Sequence, residues 1–337
     1  MIRKKYYKKE NRVEWLKLRN EFSSKGMVGG SDVATILHAN PWRSAVELFY
    51  TCVGFTNKSV MQNQKMAWGT ELEDKIADMY QYYDFETQDI VENYEMGLKV
   101  NPVRRVNAII TNTKYPYLFA NIDRLLPDID GIAEIKNTSG FVVDSYDKPN
   151  THLLFASCPV GIPISYYAQL QQYLMCYEKD RGRFIFLRDG SKLIVHDIEK
   201  DEYLQEKIQE ASIDFGTKVE KGLEIMAKYP DEERRIQFLS AIEPSITDQD
   251  TYNQFRTEQI ADRQLRESEM KMDGTDEQLE IAKEYMRQSE ILKEAKTAQT
   301  LASNQLKTEI FKNGIEIIDF GVDGKVSMKK RLSVKLT

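Results

Sequence analysis

An aspartate and, eleven residues further on, an acid–apolar–lysine triplet carry the strongest chemical signal in this 337-residue chain: Asp123, then Glu134-Ile135-Lys136. Apolar residues flank each acid, in Tyr117-Leu-Phe-Ala-Asn-Ile-Asp123-Arg-Leu and in Ile132-Ala-Glu-Ile-Lys136. Between them Pro127-Asp-Ile-Asp-Gly131 has the composition of a hairpin turn. Side chains alternate along a strand, so Glu134 and Lys136 share a face, and a hairpin brings Asp123 next to them. Two carboxylates and a lysine at one spot make a hard-cation site with a positive group beside it. Such a set suits phosphodiester hydrolysis: carboxylates hold a metal, the metal activates water, and the lysine positions it or offsets developing charge. Acids and lysines are also common on solvated strands, so the reading depends on what accompanies the triplet.

Three other segments can position or complement these residues. From Met66 to Tyr83 the residues Trp68, Leu72, Ile76, Met79 and Tyr80 follow helical spacing, with Glu73 at the edge of the stripe. There Glu73 can turn toward a site or remain a solvated acid like Glu71 and Asp74. In Tyr166–Leu174, Gln169 and Tyr173 are one helical turn apart and therefore neighbours. They could bind a phosphate, hold the acids, or belong to a half-buried amphipathic helix. Gly29-Gly30 followed by Ser31-Asp32 and an apolar run predicts a helix entry, whose capping side chain and exposed amides also bind phosphate.

Four segments in order resemble the lambda-exonuclease-like branch of the PD-(D/E)xK nucleases, most closely the YqaJ-type viral recombinase family. They are Glu14-Trp-Leu-Lys-Leu-Arg19 with Gly29-Gly-Ser31-Asp32-Val-Ala-Thr-Ile-Leu37 and Asn40-Pro-Trp-Arg-Ser44; Met66-Ala-Trp-Gly69-Thr-Glu-Leu-Glu73; the Asp123/Glu134/Lys136 hairpin; and Pro163-Ile-Ser-Tyr-Tyr-Ala-Gln169-Leu-Gln171-Gln-Tyr173. The resemblance implies that Asp123 and Glu134 are the central metal ligands, with the Ile135 carbonyl as an extra ligand and Glu73 as a second-metal or water-bridged one. It implies that Lys136 is the catalytic lysine and that Gln169 and Tyr173 are the Q-xxx-Y element of the helix after the active-site strands. Arg19 and Ser31 look like the pair that binds a terminal 5′-phosphate, here with Ser23-Ser-Lys-Gly26 inserted between them. The implied cofactor is Mg²⁺, or Mn²⁺. The implied partners are double-stranded DNA ends, a single-strand annealing recombinase and further copies of the chain in a ring.

The order helix, strands, acid-bearing hairpin, helix, two strands matches a restriction-endonuclease-like α/β core, a mixed central sheet flanked by helices. Residues 1–230 are expected to form the catalytic domain, 231–246 a linker, and 247–337 a helical arm ending in a β-hairpin around Asp323-Gly324. Phe184–His196 reads as a hairpin with Asp189-Gly190 at its turn, Glu202–Lys228 as a helix ended by Tyr229-Pro230, and 137–162 as a long active-site loop. Hydrophobic residues make up 41% of the chain, enough for a sizeable core anchored on Trp15, Trp42 and Trp68. The net charge is −6, so a DNA enzyme must localise its positive charge. Arg3, Lys4, Lys5, Lys8, Lys9 and Arg12, or the C-terminal Lys325, Lys329, Lys330, Arg331 and Lys335, could track phosphates or serve as solubilising tails. Cys52, Cys158 and Cys176 are too few for a four-thiolate cluster, which separates the chain from iron–sulfur relatives and suits the reducing cytoplasm of a bacterial host cell. No run of twenty apolar residues predicts a membrane span. The expected activity is metal-dependent 5′-to-3′ exonucleolytic resection of duplex DNA ends in phage-type recombination. The alternatives are an endonuclease of the same fold and a non-catalytic DNA-end-binding or scaffold protein.

Overall fold

Strands form on both sides of Asp123, and they enter two different sheets. The computed structural model describes residues 1–7, 12–56, 64–139, 153–245, 255–256, 275–312, 317–319, 325–328 and 332–335. The chain divides into two units, Met1–Asp262 and Arg263–Thr337. The first contains, in chain order, β1 (Ile2–Tyr6), α1 (Arg12–Ser23), β2 (Val28–Gly29), α2 (Gly30–Ile36), α3 (Ala45–Cys52), α4 (Gln64–Tyr80), α5 (Val91–Glu95), β3 (Arg104–Arg105), β4 (Ala108–Asn112), β5 (Tyr115–Ala120), β6 (Arg124–Leu126) and β7 (Gly131–Thr138). It continues with α6 (Ile164–Tyr177), β8 (Arg181–Arg188), β9 (Lys192–Glu199), α7 (Glu202–Lys228) and α8 (Glu232–Ser240).

The expected mixed sheet is the five-stranded order β3-β6-β7-β8-β9, and a second, four-stranded sheet runs β1-β4-β5-β2. The chain leaves the four-stranded sheet at Ala120 and joins the five-stranded one at Arg124, so Asp123 lies at the seam between them. The expected acid hairpin forms, with Leu126 opposite Gly131 and Arg124 opposite Ala133. The next pairing, β7 with β8, is parallel, with Glu134 opposite Phe184. A parallel pair needs a crossover, and α6 lies in that connection.

α6 is buried around its whole circumference, with Tyr167 through Cys176 all inside. This corrects the half-buried amphipathic reading. Its glutamines are inside, and their amide nitrogens are hydrogen-bonded, as most buried polar groups are. Gln172 Nε2 donates to the carbonyls of Val28 (2.8 Å) and Phe119 (3.0 Å), and Gln171 Nε2 donates to that of Glu199 (2.8 Å). α7 begins on an Asp201 cap whose side chain accepts from the Leu204 amide at 3.0 Å. Its buried stripe of Leu204, Ile208, Ser212, Phe215 and Val219 has helical spacing.

Several expectations are corrected here. The basic N-terminus is not a tail: Ile2–Tyr6 is an edge strand paired antiparallel with β4. Lys4 Nζ donates to Tyr177 Oη at 2.6 Å, and Lys5 pairs with Glu21 at 2.8 Å. Lys8 and Lys9 lie outside the described residues. Trp42 and Trp68 do not anchor the core; they are 69% and 63% exposed. The stretch read as a linker contains α8, capped by Asp231 and docked through the buried Leu239. Of the long loop, residues 140–152 lie outside the described residues, as do 246–254 and 257–274 of the region after it.

The described residues of the second unit form α9 (Asp276–Lys312) and the strands β10 (Ile317–Asp319), β11 (Lys325–Met328) and β12 (Leu332–Lys335). The expected terminal hairpin has a third strand, for β10, β11 and β12 form one antiparallel sheet. Among the described residues no helix is long and apolar enough to cross a membrane.

Candidate active site

β7 delivers Glu134 and Lys136 to one face, as alternation requires, and Lys136 Nζ donates to Glu134 Oε1 at 2.6 Å. The Ile135 amide donates to Asp123 Oδ2 at 2.8 Å, which ties the seam residue to the same strand. From α6, Gln169 Nε2 donates both to Glu134 Oε1 (2.6 Å) and to Tyr173 Oη (3.0 Å). Lys136 Nζ also lies 3.4 Å from Gln169 Oε1 and 4.9 Å from the centroid of the Tyr166 ring. The structure therefore brings Asp123, Glu134, Lys136, Gln169 and Tyr173 together.

The electrostatics are those of an under-neutralised acid pair. Burial, then the charges of Glu134 and Glu73, push the Asp123 carboxyl well above the usual carboxylate range. Burial also raises Glu134, against the opposing pull of Lys136. For Lys136 burial acts downward, but Glu134 and Asp123 outweigh it and the ammonium is held above its ordinary value. Glu134 is 2% exposed, and its Oε2 has no hydrogen-bond partner. A buried carboxylate oxygen without a donor is costly. A hard divalent cation between Glu134 and Asp123 would satisfy it, so the donor set fits Mg²⁺ or Mn²⁺.

Glu73 stands at the rim. Its Oε1 is paired with Arg124 Nη1 at 2.7 Å and lies 3.6 Å from Arg105 Nη2. Arg124 is 3% exposed; it also donates to the Asp123 carbonyl (2.6 Å) and pairs with Asp74 (2.5 Å), and Asp74 pairs in turn with Arg105. Asp74 is thus a partner of two arginines rather than a free solvated acid. Among the described residues no group of three or more acid, histidine or cysteine side chains could by itself hold a metal ion. Two carboxylates converge, and Glu73 is engaged by Arg124. Sequence reasoning missed Arg124, although an arginine in an apolar strand signals buried carboxylate partners.

The insertion between Arg19 and Ser31 is absorbed by the end of α1 and a turn in which the Met27 amide donates back to the Phe22 carbonyl at 3.2 Å. Arg19 Nη2 then donates to Ser31 Oγ at 2.5 Å and lies 3.4 Å from Asp32 Oδ2. The two glycines before Ser31 are there for space: a Cβ on Gly29 would sit 2.7 Å from the Phe119 ring, and one on Gly30 2.3 Å from the Tyr173 ring. Tyr173 thus lies between the Arg19/Ser31 pair and the acids. Its hydroxyl is held well above its ordinary value by burial, then by Glu134 and Asp123, with Gln169 and Arg19 opposing.

Residues 14–180 match the family model described as the YqaJ-like viral recombinase domain. The uncharacterized protein YqaJ of Bacillus subtilis (strain 168) is 31% identical over 207 residues, which are 61% of this chain and 55% of that protein; the chain spans little more than half of the curated relative it matches. An alkaline exonuclease (LHK-Exo) of known structure from Laribacter hongkongensis is similar over 64% of this chain and 96% of its own, at 22% identity and a TM-score of 0.43. A phage-related exonuclease from Haemophilus somnus 129PT is similar over 64% and 96%, at 12% identity and a TM-score of 0.36.

Proposed function

Because residues 14–180 belong to the YqaJ-like viral recombinase domain family, we propose that this chain is a metal-dependent exonuclease that degrades duplex DNA ends from 5′ to 3′ in phage-type recombination. The observation that carries the reading is the Glu134 carboxylate: one oxygen is held by Lys136 and Gln169, and the other is buried without a partner next to Asp123. A scaffold protein would gain nothing from such a group.

In this reading Asp123 and Glu134 hold Mg²⁺ or Mn²⁺, with the Ile135 carbonyl as a further ligand. The bound ion supplies an acidified water and neutralises charge on the phosphoryl oxygens. The chain's own residues do the positioning. Gln169 fixes the rotamer of Glu134, and Tyr173 accepts from Gln169 to fix it in turn. Lys136, kept cationic by its two acid neighbours, acts as a hydrogen-bond donor and counter-charge rather than as a base. Glu73 faces the same pair of acids from its ion pair with Arg124. Arg19 and Ser31 hold the terminal 5′-phosphate, a task that suits a guanidinium and a hydroxyl. An annealing recombinase as partner and a ring of copies around the duplex complete the proposal.

The test is digestion of linear and nicked-circular duplex, with 5′-phosphate or 5′-hydroxyl ends, in Mg²⁺ and in EDTA. Rapid loss of linear, 5′-phosphorylated DNA in Mg²⁺ alone is expected. Equal cutting of the nicked circle at internal positions would replace the exonuclease with an endonuclease. No cleavage in any metal would leave an end-binding protein.

A further inference from the structure

A second arginine, Arg43, faces the Arg19/Ser31 pair across Asp32. The loop between α2 and α3 is folded back by Asn40: its Nδ2 donates to Thr35 Oγ1 at 2.8 Å, and its Oδ1 accepts from the Trp42 amide at 2.9 Å. The next residue, Arg43, is thereby turned over the start of α2. Arg43 Nη2 donates to Thr51 Oγ1 at 2.9 Å, while Nη1 lies 3.5 Å from Asp32 Oδ1. The other oxygen of the same carboxylate, Oδ2, lies 3.4 Å from Arg19 Nη2.

Two guanidinium groups therefore share one carboxylate, one on each oxygen, and the cluster carries one positive charge in excess. Neither contact with Asp32 is a good hydrogen bond, since charged pairs close to about 2.7–2.9 Å. Arg43 Nε is buried and has no partner. A guanidinium offers five N–H donors in a fixed fork, so at this site the donors outnumber the acceptors. A brace between α2 and α3 would not need that surplus. An anion with several acceptor oxygens would use it. A phosphate monoester has three, and carries about −1.5 to −2 charges near neutrality. An internal phosphodiester has one fewer free oxygen and a single charge.

We propose that Arg43 is the second cation of the end-phosphate pocket. Its guanidinium and that of Arg19 flank one terminal phosphate monoester, and Asp32 spaces the two arginines and holds them in place. This rests on the assignment of Arg19 and Ser31 to the 5′-phosphate. The arrangement selects a terminal monoester over an internal diester by charge as well as by shape, so recognition follows the second ionisation of the phosphate, near pH 6.

The experiment measures binding of a short, 3′-labelled duplex to the full-length protein in EDTA, by anisotropy, with 5′-phosphate or 5′-hydroxyl ends, from about pH 5 to about pH 7.5. The unmutated protein should prefer the phosphorylated end by roughly ten- to a hundredfold, with the preference rising as the monoester becomes dianionic. Arg43→Gln should reduce that preference about tenfold and flatten its rise with pH. Arg43→Lys, which keeps the charge but not the fork, should keep the pH dependence at a lower preference. If Arg19→Ala loses the preference but Arg43→Gln keeps both its size and its pH dependence, Arg43 is only a brace and the inference fails, while the end-phosphate reading stands. If the unmutated protein shows no preference, that reading fails first and takes this one with it. Should Arg43→Gln not fold, Arg43→Lys decides: a preference equal to that of the unmutated protein overturns the proposal.

Discussion

At the scale of single residues, two buried acids, Asp123 and Glu134, share one lysine. Lys136→Ala should lower turnover by about a hundredfold or more, as loss of a positioned donor does elsewhere, with duplex binding in EDTA little changed. Near-normal Mg²⁺-dependent turnover would mean the site is misassigned. The acid pair also predicts a stability signature. Asp123 and Glu134 have folded-state pKa values raised above their ordinary ones. Each therefore adds stability below the ordinary carboxylate range and loses it as pH rises through the raised value. In EDTA, melting temperature should fall as pH climbs from that range toward neutrality, and Mg²⁺ should restore it by binding the folded state. Asp123→Asn keeps an oxygen for the Ile135 amide and removes the repulsion. It should raise the neutral, metal-free melting temperature by about 2–4 °C, the shift that about 1 kcal/mol gives in a unit of this size. A fall would show that the pair is not strained.

At the scale of elements, the contact between α2 and α6 is the sharpest test. A Cβ on Gly30 meets the Tyr173 ring at 2.3 Å, and overpacking of this kind costs about 1–3 kcal/mol. Gly30→Ala should lower both melting temperature and activity, because Tyr173 holds Gln169 and Gln169 holds Glu134. Gly30→Ala with Tyr173→Leu should recover stability relative to Gly30→Ala but not activity; strictly additive melting temperatures would disprove the contact. Much of this layer was legible in advance. The period-2 pattern and Asp-Gly turns locate β7 and the β8–β9 hairpin, where Asp189 and Gly190 both take positive φ, and Glu202–Lys228 is a helix that stops before Pro230. What pattern could not reveal is where a polar side chain ends. Nothing in the pattern shows that Gln171 and Gln172 end on backbone acceptors inside the protein. Lys4 and Lys5 read as phosphate-tracking or solubilising charges, yet their backbone completes a sheet edge. Arg124 was passed over because its partners, Glu73 and Asp74, lie 51 and 50 residues away.

At the scale of the whole chain, a net charge of −6 requires DNA affinity to come from local positive groups, and it should fall steeply with salt. Because β1 is a strand, neutralising Arg3, Lys4 and Lys5 to Gln is a cleaner probe than deletion; an unchanged salt slope would assign those charges to guarding the sheet edge. Removing Arg263–Thr337 should leave Met1–Asp262 folded, since its core clusters lie within that unit. The shortened chain should still cleave linear duplex in Mg²⁺, and loss of cleavage with an unchanged melting temperature would give the second unit a part in catalysis. α6 has one more consequence. A helix enclosed on every side has no route to open by itself, so its amide protons should exchange with solvent only when the whole unit unfolds. Those of α1, which is only partly buried, should exchange more readily by local fraying. Gln169 and Tyr173 would then stand on a slowly exchanging element and Arg19 on a faster one, so that the proposed catalytic groups keep still while the proposed end-binding arginine can adjust.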